Sequence, residues 1–234
     1  MPPEPRAVLF DLDDTLYPLQ QFLMSGFRVV AAHVQETWGH GSATVLGVLT
    51  AAYGSDRGHE VDVLAERLSL PDGAAATLIG LIQSHTPAIS LSTHAGPVLS
   101  MLRRASWRLG VVTNGRPATQ ARKIAALGVA PLVDAVVIAA AHGSGCGKPE
   151  AAPFLEACRA LGVTPAQAVF VGDDLACDIS GAHAVGMATI WLPASVSARP
   201  DAAAALADLI LPSLAGVPAA VGPLLASRWS AHVA

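Results

Sequence analysis

Cysteine is scarce in this chain, with three residues among 234, at Cys146, Cys158 and Cys177. The number is odd and no two of them are spaced C-x-x-C, so neither a disulfide framework nor a zinc knuckle is indicated. Hydrophobic residues make up 52% of the sequence. The fold is therefore expected to depend on an ordinary hydrophobic core of one α/β domain, with room for a smaller inserted domain.

Charged residues are also few, at 14%, and the formal net charge is −4 with no block of basic residues. This balance argues against electrostatic binding to nucleic acid or to an anionic membrane. Apolar stretches are interrupted before the roughly 18–20 residues that a membrane span needs. The N-terminus lacks the basic-then-apolar order of a signal peptide. We therefore expect a cytoplasmic protein with no membrane or nucleic-acid partner.

Short apolar runs alternate with helical patterns over much of the chain. Such alternation predicts a mostly parallel sheet with helices on both faces. A tail that is rich in alanine and proline follows residue 193, with residues 206–211 as a further strand or a helix end. The five predicted strands are residues 7–10, 109–113, 135–139, 168–171 and 188–192.

A different pattern separates the first two strands. Leu23, Phe27 and Val30 begin a helical stripe with steps of three or four residues. Helical patterns continue to about residue 84 with no strand between them, which predicts an all-helical cap at residues 17–92. The α/β core is then formed by residues 1–16 and 93–234.

The first strand runs directly into three acidic residues, Asp11, Asp13 and Asp14. Carboxylates this close repel one another, so a purely structural turn gains nothing from all three. A hard cation relieves the repulsion, because magnesium is held by one or two carboxylates together with phosphate oxygens. The alternative from this stretch alone is a solvated acidic turn.

Two other predicted strands also end in polar groups. Thr113 and Asn114 close the second strand, and Asp173 and Asp174 follow the fourth. Ligands of parallel α/β sheets collect at the carboxyl ends of the strands. These groups are therefore predicted to meet the acidic turn at one edge of the sheet. Taken singly, each pair has an ordinary alternative as a strand-end turn or a helix N-cap.

Four short motifs, in order along the chain, resemble those of the haloacid dehalogenase-like hydrolase superfamily. The resemblance covers almost the whole chain and implies a Rossmann-like core sheet of order 5-4-1-2-3, with a helical cap between motifs one and two. The matching segments are Asp11-Leu12-Asp13-Asp14-Thr15, Val111-Val112-Thr113-Asn114-Gly115, Lys148-Pro149, and Gly172-Asp173-Asp174 with Asp178.

The resemblance also implies roles for these residues. Asp11 would be the nucleophile that forms an aspartyl-phosphate, and Asp13 the general acid and base. Magnesium would be held by Asp11, the Asp13 backbone carbonyl and Asp173. The phosphate would be bound by Thr113, the Asn114 backbone and Lys148, with Lys148 also counted among the catalytic residues. Asp174 and Asp178 would stand behind these groups, Asp178 being favoured for orienting Lys148 or a metal-bound water.

The expected function is a magnesium-dependent phosphatase that acts on a small phosphorylated metabolite, such as a nucleoside monophosphate or phosphoglycolate. Asp13 favours phosphoester over carbon–halogen hydrolysis, because an alkoxide leaving group needs a proton and a halide does not. A phosphomutase of the same superfamily and a non-catalytic protein that keeps the fold are the alternatives. Nothing in the sequence indicates the physiological substrate, the substrate contacts of the cap or the oligomeric state.

One segment departs from the resemblance. An acidic residue is common in the family a few places before the motif-three lysine, but residues 142–147 here read His-Gly-Ser-Gly-Cys-Gly. The surroundings of Lys148 are therefore left open. Cys146 is expected to be an inert loop cysteine, with a reactive thiol as the alternative.

Overall fold

The computed structural model describes residues 5–139, 147–193 and 206–233. The predictions about Cys146 and most of the loop before Lys148 lie outside these residues. The chain divides into two compact units, Met1–Pro18 with Ser90–Ala234, and Leu19–Ile89. The role of the predicted insert as a cap stays a prediction.

The first unit contains a sheet whose strands all run parallel, as predicted. Its order is β3-β2-β1-β4-β5-β6. The five predicted strands thus stand in the predicted order, and β6 is added beyond β5. The strands that the described residues form are β1 (Ala7–Phe10), β2 (Arg108–Thr113), β3 (Ala135–Ile138), β4 (Ala168–Gly172), β5 (Ala188–Trp191) and β6 (Leu209–Ile210).

Register places three strand ends side by side. Phe10, the last residue of β1, pairs with Val111 of β2 and with Val171 of β4. Every residue of β1 and β4 is buried, as expected of strands covered on both faces. The residues that follow β1, β2 and β4 are therefore neighbours at the carboxyl edge of the sheet.

The helices of this unit follow proline and glycine signals. Pro117 opens α6, and Gly128 ends it in the left-handed conformation, at φ +60°. Pro97 and Pro153 are each the third residue of their helix. Proline is tolerated there because the N–H groups of the first turn have no partner within the helix. The helices with described residues in this unit are α5 (Ala95–Arg104), α6 (Pro117–Leu127), α7 (Ala151–Leu161), α8 (Ser180–Ala184) and α9 (Val217–Val233).

Two features of this unit differ from the predicted elements. The helix expected at residues 179–185 begins earlier, with a π-helical turn at Leu175–Ile179 that leads into α8. Helix α9 was not predicted, although Val217, Val221 and Leu225 are buried at helical spacing. It packs against α5 and β5 and covers that part of the core.

The second unit is helical throughout, in agreement with the apolar periodicity of residues 20–84. Phe27, Val34 and Leu49 are buried in its interior, as is Leu64. Its helices are α1 (Leu19–Trp38), α2 (Ser42–Ser55), α3 (Glu60–Arg67) and α4 (Ala74–Ser84). Across the described part of the whole chain, no helix is both long and apolar enough to cross a membrane.

Candidate active site

Asp11 is the first residue after β1 and lies almost fully buried at the carboxyl edge of the sheet. Its backbone N–H donates to the carbonyl of Val171 (2.9 Å), which continues the β1–β4 ladder by one residue. Its Oδ1 accepts a hydrogen bond from Lys148 Nζ at 2.5 Å. The strand pairing therefore fixes the backbone of Asp11, and a buried ion pair fixes its side chain.

Lys148 is held from several directions. Its ammonium lies 2.6 Å from Asp178 Oδ1 and donates to the Val112 carbonyl at 2.9 Å. Its backbone is clamped by Asn114, whose side-chain oxygen accepts from Lys148 N–H (2.8 Å) and whose amide donates to the Lys148 carbonyl (2.9 Å). The loop position of this lysine is thus tied to the end of β2.

Asp173, directly after β4, brings a third acidic side chain to this edge. Oxygen atoms of Asp11, Asp173 and Asp178 all lie within 4.8 Å of one another. The Trp191 indole donates to the Asp173 carbonyl at 2.7 Å and anchors its backbone. Gly172 leaves room for the cluster, because a Cβ there would collide with the Asp178 carboxylate.

The cluster holds more negative than positive charge. Burial raises the pKa of Asp11 to about 8, although Lys148 opposes the shift. Burial, then repulsion from Asp178 and Asp14, raises the pKa of Asp173 to about 7. Burial would lower the pKa of Lys148, but Asp11 and Asp178 together raise it above its ordinary value. One lysine is therefore too little positive charge for three carboxylates.

The chemistry of this donor set suits a hard divalent cation. It consists of carboxylate oxygens alone, which magnesium and calcium prefer over nitrogen or sulfur. A cation would also stabilise the ionised forms of Asp11 and Asp173, whose pKa values are raised first by burial and then by neighbouring carboxylates. The predicted ligand set was the Asp11 carboxylate, the Asp13 backbone carbonyl and Asp173. Both of the predicted side-chain ligands lie in the group of carboxylates that the structure forms, and Asp178, which was predicted to stand behind the ligands, is the third member of that group.

The Asp13 carboxylate has different neighbours. Lys123 Nζ lies 2.8 Å from its Oδ1 and 3.0 Å from its Oδ2. Tyr17 donates to Oδ1 at 2.5 Å, and Gln120 donates to Oδ2 at 3.0 Å. Burial, followed by the negative charge of Asp13, raises the pKa of Tyr17 and keeps its hydroxyl protonated. This carboxylate is thus surrounded by donors that the protein itself supplies.

The remaining predicted site residues are also at this edge. Thr113 is buried at the end of β2, and its Oγ1 accepts from Gln120 Nε2 at 2.5 Å. Asp174 Oδ1 accepts from the N–H groups of Ala176 (2.8 Å) and Cys177 (2.9 Å), so its side chain caps the π-helical turn. Asp174, which was predicted to stand behind the reacting groups, therefore uses its carboxylate to cap this turn.

Sequence reasoning did not identify Gln120, Lys123 and Tyr17. A spacing of three places Gln120 and Lys123 on one helix face, where both are buried. A glutamine and a lysine on the face that also buries Ile124 and Leu127 are the signal that was available.

Comparison with known proteins agrees with this architecture. Residues 5–186 match the family model of the haloacid dehalogenase-like hydrolases. Over 197 residues the chain is 33% identical to a glyceraldehyde 3-phosphate phosphatase of Methanopyrus kandleri, covering 79% of this chain and 82% of the relative. It is 30% identical over 200 residues to a ribulose-1,5-bisphosphate 5-phosphatase of Halopiger xanaduensis, covering 79% and 83%.

A solved structure supports the fold. A HAD phosphatase from Thermococcus onnurineus superposes with a TM-score of 0.62 at 24% identity, covering 93% of this chain and 98% of that chain. The curated relatives are phosphatases, which confirms the predicted enzyme class. The match to the family model extends over most of the chain, from β1 through α8. The chain therefore belongs to the haloacid dehalogenase-like hydrolases.

Proposed function

We propose that this protein is a magnesium-dependent phosphatase that hydrolyses a small sugar phosphate through an aspartyl-phosphate formed on Asp11. The observation that carries the proposal is the cluster of Asp11, Asp173 and Asp178 around Lys148. It combines a buried carboxylate nucleophile with oxygen ligands for a cation and a fixed ammonium group. Phosphoryl transfer depends mainly on such positioning and electrostatic stabilisation.

Asp11 supplies the attacking oxygen. Its carboxylate forms a bond to phosphorus while the bond from phosphorus to the leaving oxygen breaks. Lys148, 2.5 Å from Asp11 Oδ1, orients that carboxylate and lowers the repulsion between it and the incoming phosphate. Bound magnesium would supply further neutralisation of the phosphoryl oxygens, with Asp11, Asp173 and Asp178 as the side chains available to hold it.

Asp13 handles the proton. In its protonated form it gives a proton to the leaving oxygen, and as the resulting carboxylate it takes a proton from the water that hydrolyses the aspartyl-phosphate. Thr113 and the Asn114 backbone, at the end of β2, would donate to phosphate oxygens; Gln120 links Thr113 to Asp13 by donating to both side chains.

The substrate class follows from the relatives. Their names specify glyceraldehyde 3-phosphate and ribulose-1,5-bisphosphate, both short phosphorylated sugars. We therefore infer a small sugar phosphate, with nucleoside monophosphates and phosphoglycolate as the competing substrates. The helical unit Leu19–Ile89 is proposed as the cap. The cytoplasmic location stays a prediction from the sequence.

Phosphate release from a panel of these compounds, measured in Mg²⁺ and in EDTA, tests the proposal. We expect turnover in Mg²⁺, with sugar phosphates having the highest kcat/KM, and no turnover in EDTA. Asp173→Asn should raise the Mg²⁺ concentration for half-maximal rate by about 10–100-fold, because it removes a ligand charge. Asp174→Asn is the matched control, since asparagine keeps the N-cap and removes the same charge one residue away.

Three outcomes would overturn the proposal. Full activity in EDTA would refute the metal dependence, and equal effects of the two variants would refute the ligand assignment. Transfer of phosphate to a second sugar position, with no release of inorganic phosphate, would identify a phosphomutase instead.

A further inference from the structure

Three side chains hold the Asp13 carboxylate, which is more than the turn after β1 needs for its own structure. Both of its oxygens accept from Lys123, and each accepts from one further donor, Tyr17 or Gln120. A carboxylate with two donors on each oxygen has little freedom to rotate. The arrangement therefore selects one orientation of the Asp13 side chain.

Two of the three donors come from α6, which contributes none of the family-like motif residues. Gln120 is 2% exposed and Lys123 is 5% exposed, on a face that also buries Ile124. Burial of a lysine and an amide carries a desolvation penalty that apolar residues in the same positions would avoid. Core packing alone does not account for polar residues at these places.

Gln120 also connects Asp13, the proposed acid, to Thr113, the proposed phosphate-binding residue. Its Nε2 donates both to Asp13 Oδ2, at 3.0 Å, and to Thr113 Oγ1, at 2.5 Å. The two hydrogens of one amide are therefore shared between the proposed acid and the proposed phosphate-binding hydroxyl. Because the amide is planar, it sets the separation of these two groups.

We propose that Lys123 and Gln120 are positioning residues that hold the Asp13 carboxyl group in line with the leaving oxygen of the substrate. This inference rests on the proposed function, in which Asp13 protonates that oxygen. During the step, the phosphorus–oxygen bond to the leaving group breaks, its electron pair stays on oxygen, and oxygen takes the Asp13 proton. Lys123 and Gln120 touch neither the phosphorus nor the leaving group, and act through Asp13.

Leaving-group dependence separates this role from a purely structural ion pair. A sugar alkoxide needs the proton, whereas p-nitrophenolate leaves without it. The kcat/KM value reports the reaction through departure of the leaving group, so it isolates the acid step from later hydrolysis of the aspartyl-phosphate. A structural role would lower kcat/KM for both kinds of substrate equally.

The experiment compares kcat/KM for glyceraldehyde 3-phosphate and for p-nitrophenyl phosphate in Mg²⁺. Lys123→Met should lower the first by about 100-fold and the second by no more than about 5-fold, since general acids contribute about 10²–10⁴-fold. Gln120→Met keeps the volume and shape of the side chain. It should lower kcat/KM for glyceraldehyde 3-phosphate by about 10-fold, again with a smaller effect on p-nitrophenyl phosphate. Arg122→Met is the control, because Arg122 is the exposed neighbour on the same helix, and both values should stay within about 2-fold.

Asp13→Asn distinguishes failure of this inference from failure of the proposed function. If Asp13→Asn lowers both substrates equally, the acid role of Asp13 is wrong. If Asp13→Asn shows the bias but Lys123→Met and Gln120→Met do not, the positioning role is wrong. In the Asp13→Asn background, adding Lys123→Met should cost less than about 3-fold further on glyceraldehyde 3-phosphate, because both changes act on one step. Full additivity there would overturn the inference.

Discussion

Asp11 and Asp13 are separated by one residue and have opposite electrostatic surroundings. Asp11 shares one ammonium group, that of Lys148, with Asp178 and lies within 4.8 Å of a third carboxylate. Asp13 has Lys123 against both of its oxygens and two neutral donors besides. The surroundings of Asp11 are short of positive charge, whereas the protein itself supplies a cation and two further donors to Asp13.

Under the proposed function, this difference would let one residue type serve two tasks at positions separated by a single residue. A carboxylate that is short of positive charge favours the approach of an external cation, as a metal-assisted nucleophile requires. A carboxylate that accepts from several donors is held in one orientation, and a fixed orientation is what a positioned acid–base group needs. The surroundings, and not the residue type, would distinguish the two proposed roles.

Asp11→Asn should have the largest effect on activity of the substitutions that test this comparison. Asparagine is nearly isosteric but lacks a nucleophilic oxygen, so kcat for p-nitrophenyl phosphate should fall by at least about 10³-fold. Removal of one negative charge from the crowded cluster should leave the melting temperature unchanged or raised, and circular dichroism should show an intact fold. The exposed Asp72→Asn serves as the control. A variant that hydrolyses p-nitrophenyl phosphate at the parent rate would show that the nucleophile lies elsewhere.

The two lysines should respond differently to replacement. Lys148→Met leaves two buried carboxylates without their shared cation, which should cost about 3–5 kcal/mol of unfolding free energy in EDTA. Lys123→Met should cost about 1–3 kcal/mol, because Tyr17 and Gln120 still donate to Asp13. Mg²⁺ should recover part of the loss for Lys148→Met and little for Lys123→Met. Urea unfolding with and without Mg²⁺ measures both, and equal recovery would contradict the comparison.

The free energy of unfolding should also depend on pH, in a direction set by the carboxylate cluster of Asp11, Asp173 and Asp178. The pKa of Asp11 is raised to about 8 and that of Asp173 to about 7. Both lie above the roughly 3.9 of an unfolded aspartate, so the folded state binds more protons between about pH 4 and about pH 8. Stability from these groups is therefore present at low pH and is lost as pH rises through that window.

The measurement is the melting temperature in EDTA between about pH 5 and about pH 8, repeated in Mg²⁺. A fall in EDTA is expected, with a smaller slope in Mg²⁺, because a bound cation stabilises the ionised carboxylates. Asp11→Asn should reduce the slope in EDTA by removing one of the two groups. A melting temperature that rises across this window in EDTA would contradict the assignment of excess negative charge.

Much of this fold could be predicted, because its signals are local. The buried run of β1, the proline that opens α6 and the glycines that end α6 and α7 are each visible in the sequence. Parallel order then brings Asp11, Thr113 and Asp173 to one edge. Helix α9 escaped prediction because Pro218 and Pro223 interrupt its pattern, although packing against α5 and β5 still stabilises it.

The donors around Asp13 could not be predicted for a different reason. Gln120 and Lys123 lie 107 and 110 residues from Asp13 in the chain. Polar residues on a helix normally face solvent, and only the tertiary structure shows that these two are buried and donate to Asp13. The motifs therefore indicated the residues that the proposed function assigns to the reaction, while the groups that hold those residues depend on tertiary structure.

Tyr17→Phe is the finest test of the contrast between the two aspartates. It removes one donor from Asp13 Oδ1 while Lys123 remains bound to the same oxygen, so the expected loss is about 1 kcal/mol, or about 5-fold in kcat/KM for glyceraldehyde 3-phosphate. The loss for p-nitrophenyl phosphate should be smaller, and the Mg²⁺ concentration for half-maximal rate should not change. A shift in that Mg²⁺ concentration would mean that the two carboxylates act as one coupled centre. The separation of an external-cation site from a donor-saturated site would then fail.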